Sequence, residues 1–102
     1  MTKVFLERDG NRYTVSCKDH ADTPEACAAI SILCFTLAGY LHNIPCEIEE
    51  ERLEPGDVRI CYRCSENEGT AGRAAFEMIS IGFLQLAESY PDIARVTVQN
   101  IG

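Results

Sequence analysis

The chain has 102 residues, of which 46% are hydrophobic and 25% are charged, and its formal net charge is −7. This length is typical of one folded domain, and the composition is too apolar for a disordered chain. An acidic chain lacks the basic footprint with which proteins bind the nucleic-acid backbone. We therefore predict a single domain over residues 1–102 and no direct nucleic-acid partner.

The N-terminal residues and the cysteines indicate the cellular compartment of the protein. The first residues alternate in polarity and contain no apolar signal-peptide core. No uninterrupted apolar run reaches the ~18 residues that a membrane span needs. Six cysteines without a secretion signal are typical of thiols in a reducing compartment rather than of a disulfide framework. We expect a cytoplasmic protein with no membrane partner.

A β-hairpin is predicted at the start of the chain. Residues 3–8 alternate, with Val4 and Leu6 on one face, and residues 12–18 alternate again. Between them, Asp9-Gly10-Asn11 is a strong turn signal.

The first helix is predicted from Pro24 to about His42. Proline suits a first helical turn, and either Asp22 or Thr23 can cap the helix. Asp22 and Glu25 also match the spacing of a capping box. An isoleucine–proline step shortly after His42 ends the helix.

The second half of the chain repeats this pattern of two strands and a helix. The predicted segments are a strand at 46–53, a turn at Glu54-Pro55-Gly56-Asp57, a strand at 58–64, a loop at 65–69, a helix at 70–89 and a strand at 95–98. The order β-β-α-β-β-α-β favours the α+β class, a two-layer sandwich with both helices on one face of a largely antiparallel sheet.

Both predicted helices carry more apolar residues than one buried stripe requires. A helix that covers a sheet on one side needs only one apolar stripe. The excess must be buried against the other helix or against another chain. We therefore predict a homodimer.

Cys27 and His20 are the best candidates for a reactive centre. Cys27 lies about one turn inside the predicted helix, where the partial positive charge and N–H groups of a helix N-terminus stabilise a thiolate. His20 lies just before the helix, and a histidine within reach can take the thiol proton. Asp19 and Asp22 flank His20, so either can orient its ring, and Ser31 lies one turn beyond Cys27. The alternative is a small buried cysteine and a surface-loop histidine.

Two further groups of residues have the composition of metal or redox sites. Cys61 and Cys64 have the spacing of a half zinc site, but residues three apart in a strand point to opposite faces, and no second ligand pair is present. The glutamates within residues 47–51 are interpreted as a solvated strand end. We predict no metal site and no cofactor.

Three motifs, taken in chain order, resemble the ribosomal-processing cysteine protease family, Prp. His20-Ala21 and Cys27-Ala28-Ala29-Ile30-Ser31 are similar to the family's Gly-His-Ala step and to the Cys-Ala-Ala-Val-Ser that opens its helix. Residues 82–91 resemble the family's Gly-Leu-x-x-Leu-Ala-x-x-Tyr-Pro ending. The hairpin and the element order also fit, so the resemblance covers essentially the whole chain.

The resemblance implies a cysteine endopeptidase that trims the N-terminal extension of a large-subunit ribosomal protein, or that cuts a phage structural protein. It also implies that Cys27 is the nucleophile, that His20 is the general base and that Ser31 lies near the site. This sequence departs from the family in having Asp19 where the family has glycine, and in a shortened loop over residues 21–26. The alternative hypothesis is a catalytically inactive, Prp-like protein-binding module.

Overall fold

The protein folds into a five-stranded sheet covered by two helices. The computed structural model describes residues 1–21, 23–65 and 69–101. The elements are β1 (Thr2–Asp9), β2 (Arg12–Lys18), α1 (Pro24–Leu41), β3 (Glu47–Glu54), β4 (Asp57–Arg63), α2 (Gly69–Ser89) and β5 (Ala94–Ile101). The strands lie in the order β3-β4-β2-β1-β5, and only the β1–β5 pair among them is parallel. The predicted α+β sandwich is confirmed.

The last strand is the element that differs most from its prediction. The sequence predicts a strand at 95–98, whereas β5 runs over Ala94–Ile101. It is longer because it pairs with β1 along its whole length, from Thr2 opposite Ala94 to Asp9 opposite Ile101. The second helix begins at Gly69 rather than residue 70, and residues 66–68 of the predicted loop lie outside the described residues.

Thr23 begins the first helix. It is the N-cap, and its Oγ1 accepts a hydrogen bond of 3.1 Å from the N–H of Ala26. With Thr23 as the cap, the third helical residue is Ala26, so the capping box predicted for Asp22 and Glu25 is wrong. Asp22 itself lies outside the described residues.

The core lies between the helices and one face of the sheet. On β1, Val4 and Leu6 are 1% and 0% exposed, whereas Phe5 between them is 43% exposed on the other face. Ile60 and Tyr62 of β4 are also fully buried, and Cys61 between them is buried as well. The alternation predicted for β1, with Val4 and Leu6 on one face, is confirmed.

Helix α1 is long and apolar enough to cross a membrane by length and composition, with a mean hydropathy of 1.5 over its 18 residues. The helix contains no uninterrupted apolar run of this length, as expected from the sequence, and it is the mean hydropathy of the whole helix that is high. Core helices of soluble proteins pass the same test. In this fold Cys34, Leu37 and Leu41 bury the inner side of α1 in the core, while Ile32 and Phe35 remain exposed.

The open face of the sheet carries ion pairs. Glu49 contacts Arg12 at 2.8 Å and Arg63 at 2.7 Å, and the hydrogen bonds from Arg63 and Arg12 hold the pKa of Glu49 below its usual value. Glu50 is paired with Arg52 at 2.8 Å. These two glutamates of the acidic cluster are thus engaged by arginines.

The first turn of α2 lies close to the end of β4. Tyr62 donates a hydrogen bond of 2.8 Å from its hydroxyl to the carbonyl of Gly72. The Sγ of Cys64 occupies the space that a Cβ at residue 72 would need. Glycine at this position therefore allows the helix to approach the strand.

Replacing Gly72 by Ala is expected to lower the free energy of unfolding by about 1–3 kcal/mol, because the new methyl group overlaps Cys64 in a packed region. The matched control is Gly39→Ala in α1, where nothing lies within 4 Å of the added Cβ and the change should stabilise by about 0.5–1 kcal/mol. Urea unfolding measures both. Equal effects of the two substitutions would contradict the close packing at Gly72.

Candidate active site

A cleft of about 190 Å³ opens at one end of the sheet. One wall is α1, which contributes Cys27 and Ser31, and His20 enters from the connection between β2 and α1. The opposite wall is the β3–β4 turn with its flanking residues, 53–58. The structure thus brings His20, Cys27 and Ser31 together along one cleft.

The connection that carries His20 is fixed through its backbone. The N–H of Asp19 donates to the carbonyl of Gly56 at 3.0 Å. The carbonyl of Asp19 accepts from the Thr2 hydroxyl at 3.1 Å, and that of His20 accepts from the Met1 ammonium at 3.3 Å. Three polar groups of the Asp19–His20 backbone therefore have partners elsewhere in the fold.

Asp19 has a backbone φ of 71°, in the left-handed region that favours glycine. Aspartate is one of the few other residues that adopt this conformation readily. Its carboxylate lies 3.3 Å from the Lys3 ammonium, with both side chains exposed. Asp19 is thus engaged by Lys3, and the prediction that it orients His20 finds no contact in its support; Asp22 lies outside the described residues.

The imidazole of His20 is exposed and lies against the backbone of Gly56. Among the described residues, no side chain forms a hydrogen bond with this ring. The other histidine, His42, lies at the far end of α1 and pairs with Glu51 at 2.9 Å. His20 is therefore the histidine that lines the cleft.

Cys27 is half-buried in the first turn of α1, and its thiol donates to the carbonyl of Ala21 at 3.6 Å. Its own N–H donates to the carbonyl of Thr23 at 3.0 Å, and the N–H of Ala26 donates to the Thr23 hydroxyl. The N–H groups of Ala26 and Cys27 therefore already have partners within the first turn of α1, so neither is available to the thiol. The thiol bonds to a backbone carbonyl here rather than to His20, and in ligand-free proteins catalytic hydrogen bonds are often not yet formed.

The remaining cysteines lie in different surroundings, and all six fall within the described residues and are present as thiols. Cys17 and Cys34 are buried at the cleft with their Sγ atoms 3.7 Å apart, and the hydrogen bond with Cys34 and then burial raise the pKa of Cys17. Cys46 is half-buried like Cys27 and donates to the carbonyl of Leu41 at 3.4 Å. Burial raises the pKa of Cys46.

Cys61 and Cys64 face opposite sides of the sheet, as predicted. The Cys61 sulfur accepts from the Thr14 hydroxyl at 3.4 Å, while Cys64 lies against Gly72 of α2. They are not placed to act as a pair. Within residues 1–21, 23–65 and 69–101, no group of three or more His, Cys, Asp or Glu side chains is arranged to hold a metal ion.

Sequence reasoning missed the wall opposite α1. This wall consists of residues that lie more than 25 positions beyond Cys27 in the sequence, among them Leu53, Pro55, Gly56 and Val58. The proline–glycine pair predicts the turn itself. Its position beside His20 depends on the pairing of β4 with β2, which no local pattern encodes.

The fold and the cleft together describe an α+β protein with a cysteine and a histidine at one end of its sheet. Two structures of the ribosomal-processing protease Prp from S. aureus have this fold. The complex with a covalently linked product peptide has a TM-score of 0.74 and a sequence identity of 18%. The complex with a substrate peptide has a TM-score of 0.73 and a sequence identity of 15%. Each match covers 96% of this chain and 99% of the other. The protein SMU.848 from Streptococcus mutans has a TM-score of 0.71 at 20% identity over 98% of both chains. No protein-family model matches the sequence, and no curated protein matches it.

These similarities extend over nearly the whole chain. Because the sequence identities are only 15–20%, they establish the fold alone. The protein therefore has a Prp-like fold, which confirms at the level of structure the resemblance seen in the sequence motifs.

Cys27 is expected to react with iodoacetamide near neutral pH well ahead of the other five cysteines, because a histidine in the same cleft can take its proton. Cys46 is an internal control, since it is equally half-buried and also bonds to a backbone carbonyl. His20→Ala should slow the labelling of Cys27 alone, and His42→Ala should change neither rate. Peptide mass spectrometry measures each rate. Labelling of Cys27 at the rate of Cys46 would count against a reactive pair.

Proposed function

We propose that the protein is a cysteine endopeptidase that cuts an extended segment of a ribosomal or phage structural protein, with Cys27 as nucleophile and His20 as general base. The observation that carries this proposal is that both side chains line one cleft, in a fold shared with a protease whose structures contain product and substrate peptides. Ser31 lines the cleft next to Cys27 and supports the site.

The reaction needs only side chains of this cleft and water. His20 takes the proton of the Cys27 thiol, and the sulfur attacks the carbonyl carbon of the scissile peptide bond. The C–N bond breaks as His20 returns the proton to the leaving amine, which leaves an acyl thioester on Cys27. Water then attacks the thioester with His20 again as base, and the acid product and the thiol are released.

The charge of the chain fits a basic substrate. A net charge of −7 attracts a positively charged ribosomal-protein segment over long range. Six cysteines that form no disulfide are typical of a reducing compartment, so a cytoplasmic location is part of this proposal.

A second candidate is a binding module that holds the same kind of peptide without cutting it. The observation that favours it is the hydrogen bond of the Cys27 thiol, which donates to the carbonyl of Ala21 and not to His20. In this function the cleft and its walls remain, and the cysteine serves as a packing residue.

Cleavage is tested by incubating the protein with a library of extended peptides and reading the products by mass spectrometry. Cys27→Ala should abolish cleavage, and His20→Ala should reduce kcat by about 10²- to 10⁴-fold, the usual contribution of a general base. Cys46→Ala and His42→Ala are the matched controls and should leave cleavage unchanged.

Two outcomes distinguish the candidates. A thioester adduct trapped on Cys27, together with cleaved peptides, supports the peptidase. Peptides retained by the folded protein with no cleavage, and equally by the Cys27→Ala variant, would establish the binding module instead.

We propose that the protein acts as a homodimer through the outer surface of its two helices. Four apolar side chains on this surface are between 44% and 63% exposed, namely Ile32 on α1 and Met78, Ile81 and Leu84 on α2. Leu33 of α1 contacts α2 at Gly82, so these side chains lie on adjoining helices. An exposed apolar surface of this kind suits the interface of a homodimer, which typically buries ~2,000 Å² or more.

Sedimentation at micromolar concentration is expected to give twice the 11.3 kDa mass of one chain. Ile81→Lys should shift the protein to monomer, because it introduces a charge into the proposed interface. Phe5→Lys is the matched control, since Phe5 is an exposed apolar residue on the open face of the sheet, and it should leave the dimer intact. A stable wild-type monomer would refute the dimer.

A further inference from the structure

The imidazole of His20 rests in a space that only glycine at residue 56 leaves open. A Cβ built on Gly56 would lie 2.7 Å from Nε2 of His20 and 3.0 Å from both Cδ2 and Cε1. Real Cβ atoms essentially never make a contact as short as 2.7 Å, so a side chain at this position would displace the ring. Gly56 also has a φ of 71°, which glycine adopts without strain.

The turn that carries Gly56 is itself fixed relative to His20. Lys18, the last residue of β2, pairs with Asp57 in the sheet register, and their side chains form an ion pair of 2.6 Å. The next backbone bond, from Asp19 to Gly56, continues this pairing by one residue. His20 therefore leaves the sheet directly beside the turn.

No side chain among the described residues forms a hydrogen bond with the ring, and the two aspartates nearest to it in the sheet register have other partners. The carboxylate of Asp19 contacts Lys3, and that of Asp57 contacts Lys18 and Arg52. The histidine is thus held by its backbone and by contact with the turn.

From these contacts we infer that Gly56 is a positioning residue for His20: the bare backbone of the β3–β4 turn sets where the imidazole stands in the cleft relative to Cys27. This inference rests on the proposed function, because it assigns the orientation of the general base to the shape of a turn rather than to a carboxylate. Pro55 contributes by fixing φ in the first position of the same turn.

The test compares Gly56→Ala with Gly10→Ala. Gly10 also lies in a hairpin turn with a positive φ of 61°, but nothing lies within 4 Å of its added Cβ. Both substitutions impose backbone strain of the same kind, and only the one at residue 56 meets the imidazole. Gly56→Asn is the second variant, because asparagine tolerates the left-handed region better than alanine and still carries a Cβ.

The readouts are the rate of iodoacetamide labelling of Cys27 across a pH series and the unfolding of each variant in urea. Gly56→Ala and Gly56→Asn should slow labelling about tenfold or more and change its pH profile toward that of His20→Ala, as expected when a general base is displaced. Gly10→Ala should lose stability but keep the wild-type labelling profile. In a His20→Ala background, Gly56→Ala should have no further effect on labelling.

Failure of the inference and failure of the proposed function give different results. If His20→Ala slows labelling but Gly56→Ala behaves like Gly10→Ala, the positioning role is wrong and the reactive pair stands. If His20→Ala has no effect while an Overhauser contact between the His20 ring and the Gly56 Hα protons is observed, the contact is real and the proposed general base is wrong. An effect of Gly56→Ala that persists unchanged without His20 would overturn the inference.

Discussion

The antiparallel pairing of β2 with β4 is the interaction on which the candidate site depends. It sets Lys18 opposite Asp57, so the end of one strand coincides with the beginning of the other. The first residue after β2, Asp19, therefore lies directly beside the β3–β4 turn and bonds to Gly56. Only the residues numbered 19–23 separate β2 from α1, so the helix starts beside that turn as well. His20 and Cys27 reach one cleft because strand register and a short connection leave no other path.

The two faces of the sheet contribute unequally to the free energy of folding. One face is buried under α1 and α2, and the other is covered in part by arginine–glutamate pairs that remain hydrated. Such exposed pairs contribute little stability each. The buried face therefore provides most of the free energy of folding. Since α1 is anchored there through Leu37 and Leu41, Cys27 stands on a rigid element, while His20 stands on a connection held by backbone bonds.

The sequence predicts those features that depend on local pattern. The alternation of Val4 and Leu6 with polar neighbours specifies a strand and its buried face, and Pro24 after a capping residue specifies the start of α1. The extension of β5 to Ile101 could not be predicted in this way, because its pairing with β1, which is distant in sequence, determines its length. The contact between His20 and Gly56 is of the same kind, since the two residues are 36 positions apart and meet only through the register of two strands.

The conformation of Asp19 explains how the motif tolerates a residue that the resembled family does not have. The backbone turns away from β2 after the bond to Gly56, and at Asp19 it does so with a φ of 71°. Glycine meets this requirement without strain, and aspartate meets it at a cost of about 1–2 kcal/mol at most. The departure at Asp19 therefore affects local stability rather than the path of the chain.

A small rearrangement separates the two candidate functions of the cleft. The Cys27 thiol now donates to the Ala21 carbonyl at 3.6 Å, and a thiol is a weak donor, so this bond holds it only loosely. His20 lines the same cleft, and rotation of the Cys27 side chain releases the thiol from this partner. A peptide that fills the cleft excludes water and strengthens the electrostatic attraction between an imidazolium and a thiolate. Under the proposed peptidase function, the bound peptide thus supplies the energy that converts a packed cysteine into a nucleophile, because both residues already line the cleft at the same end of the sheet.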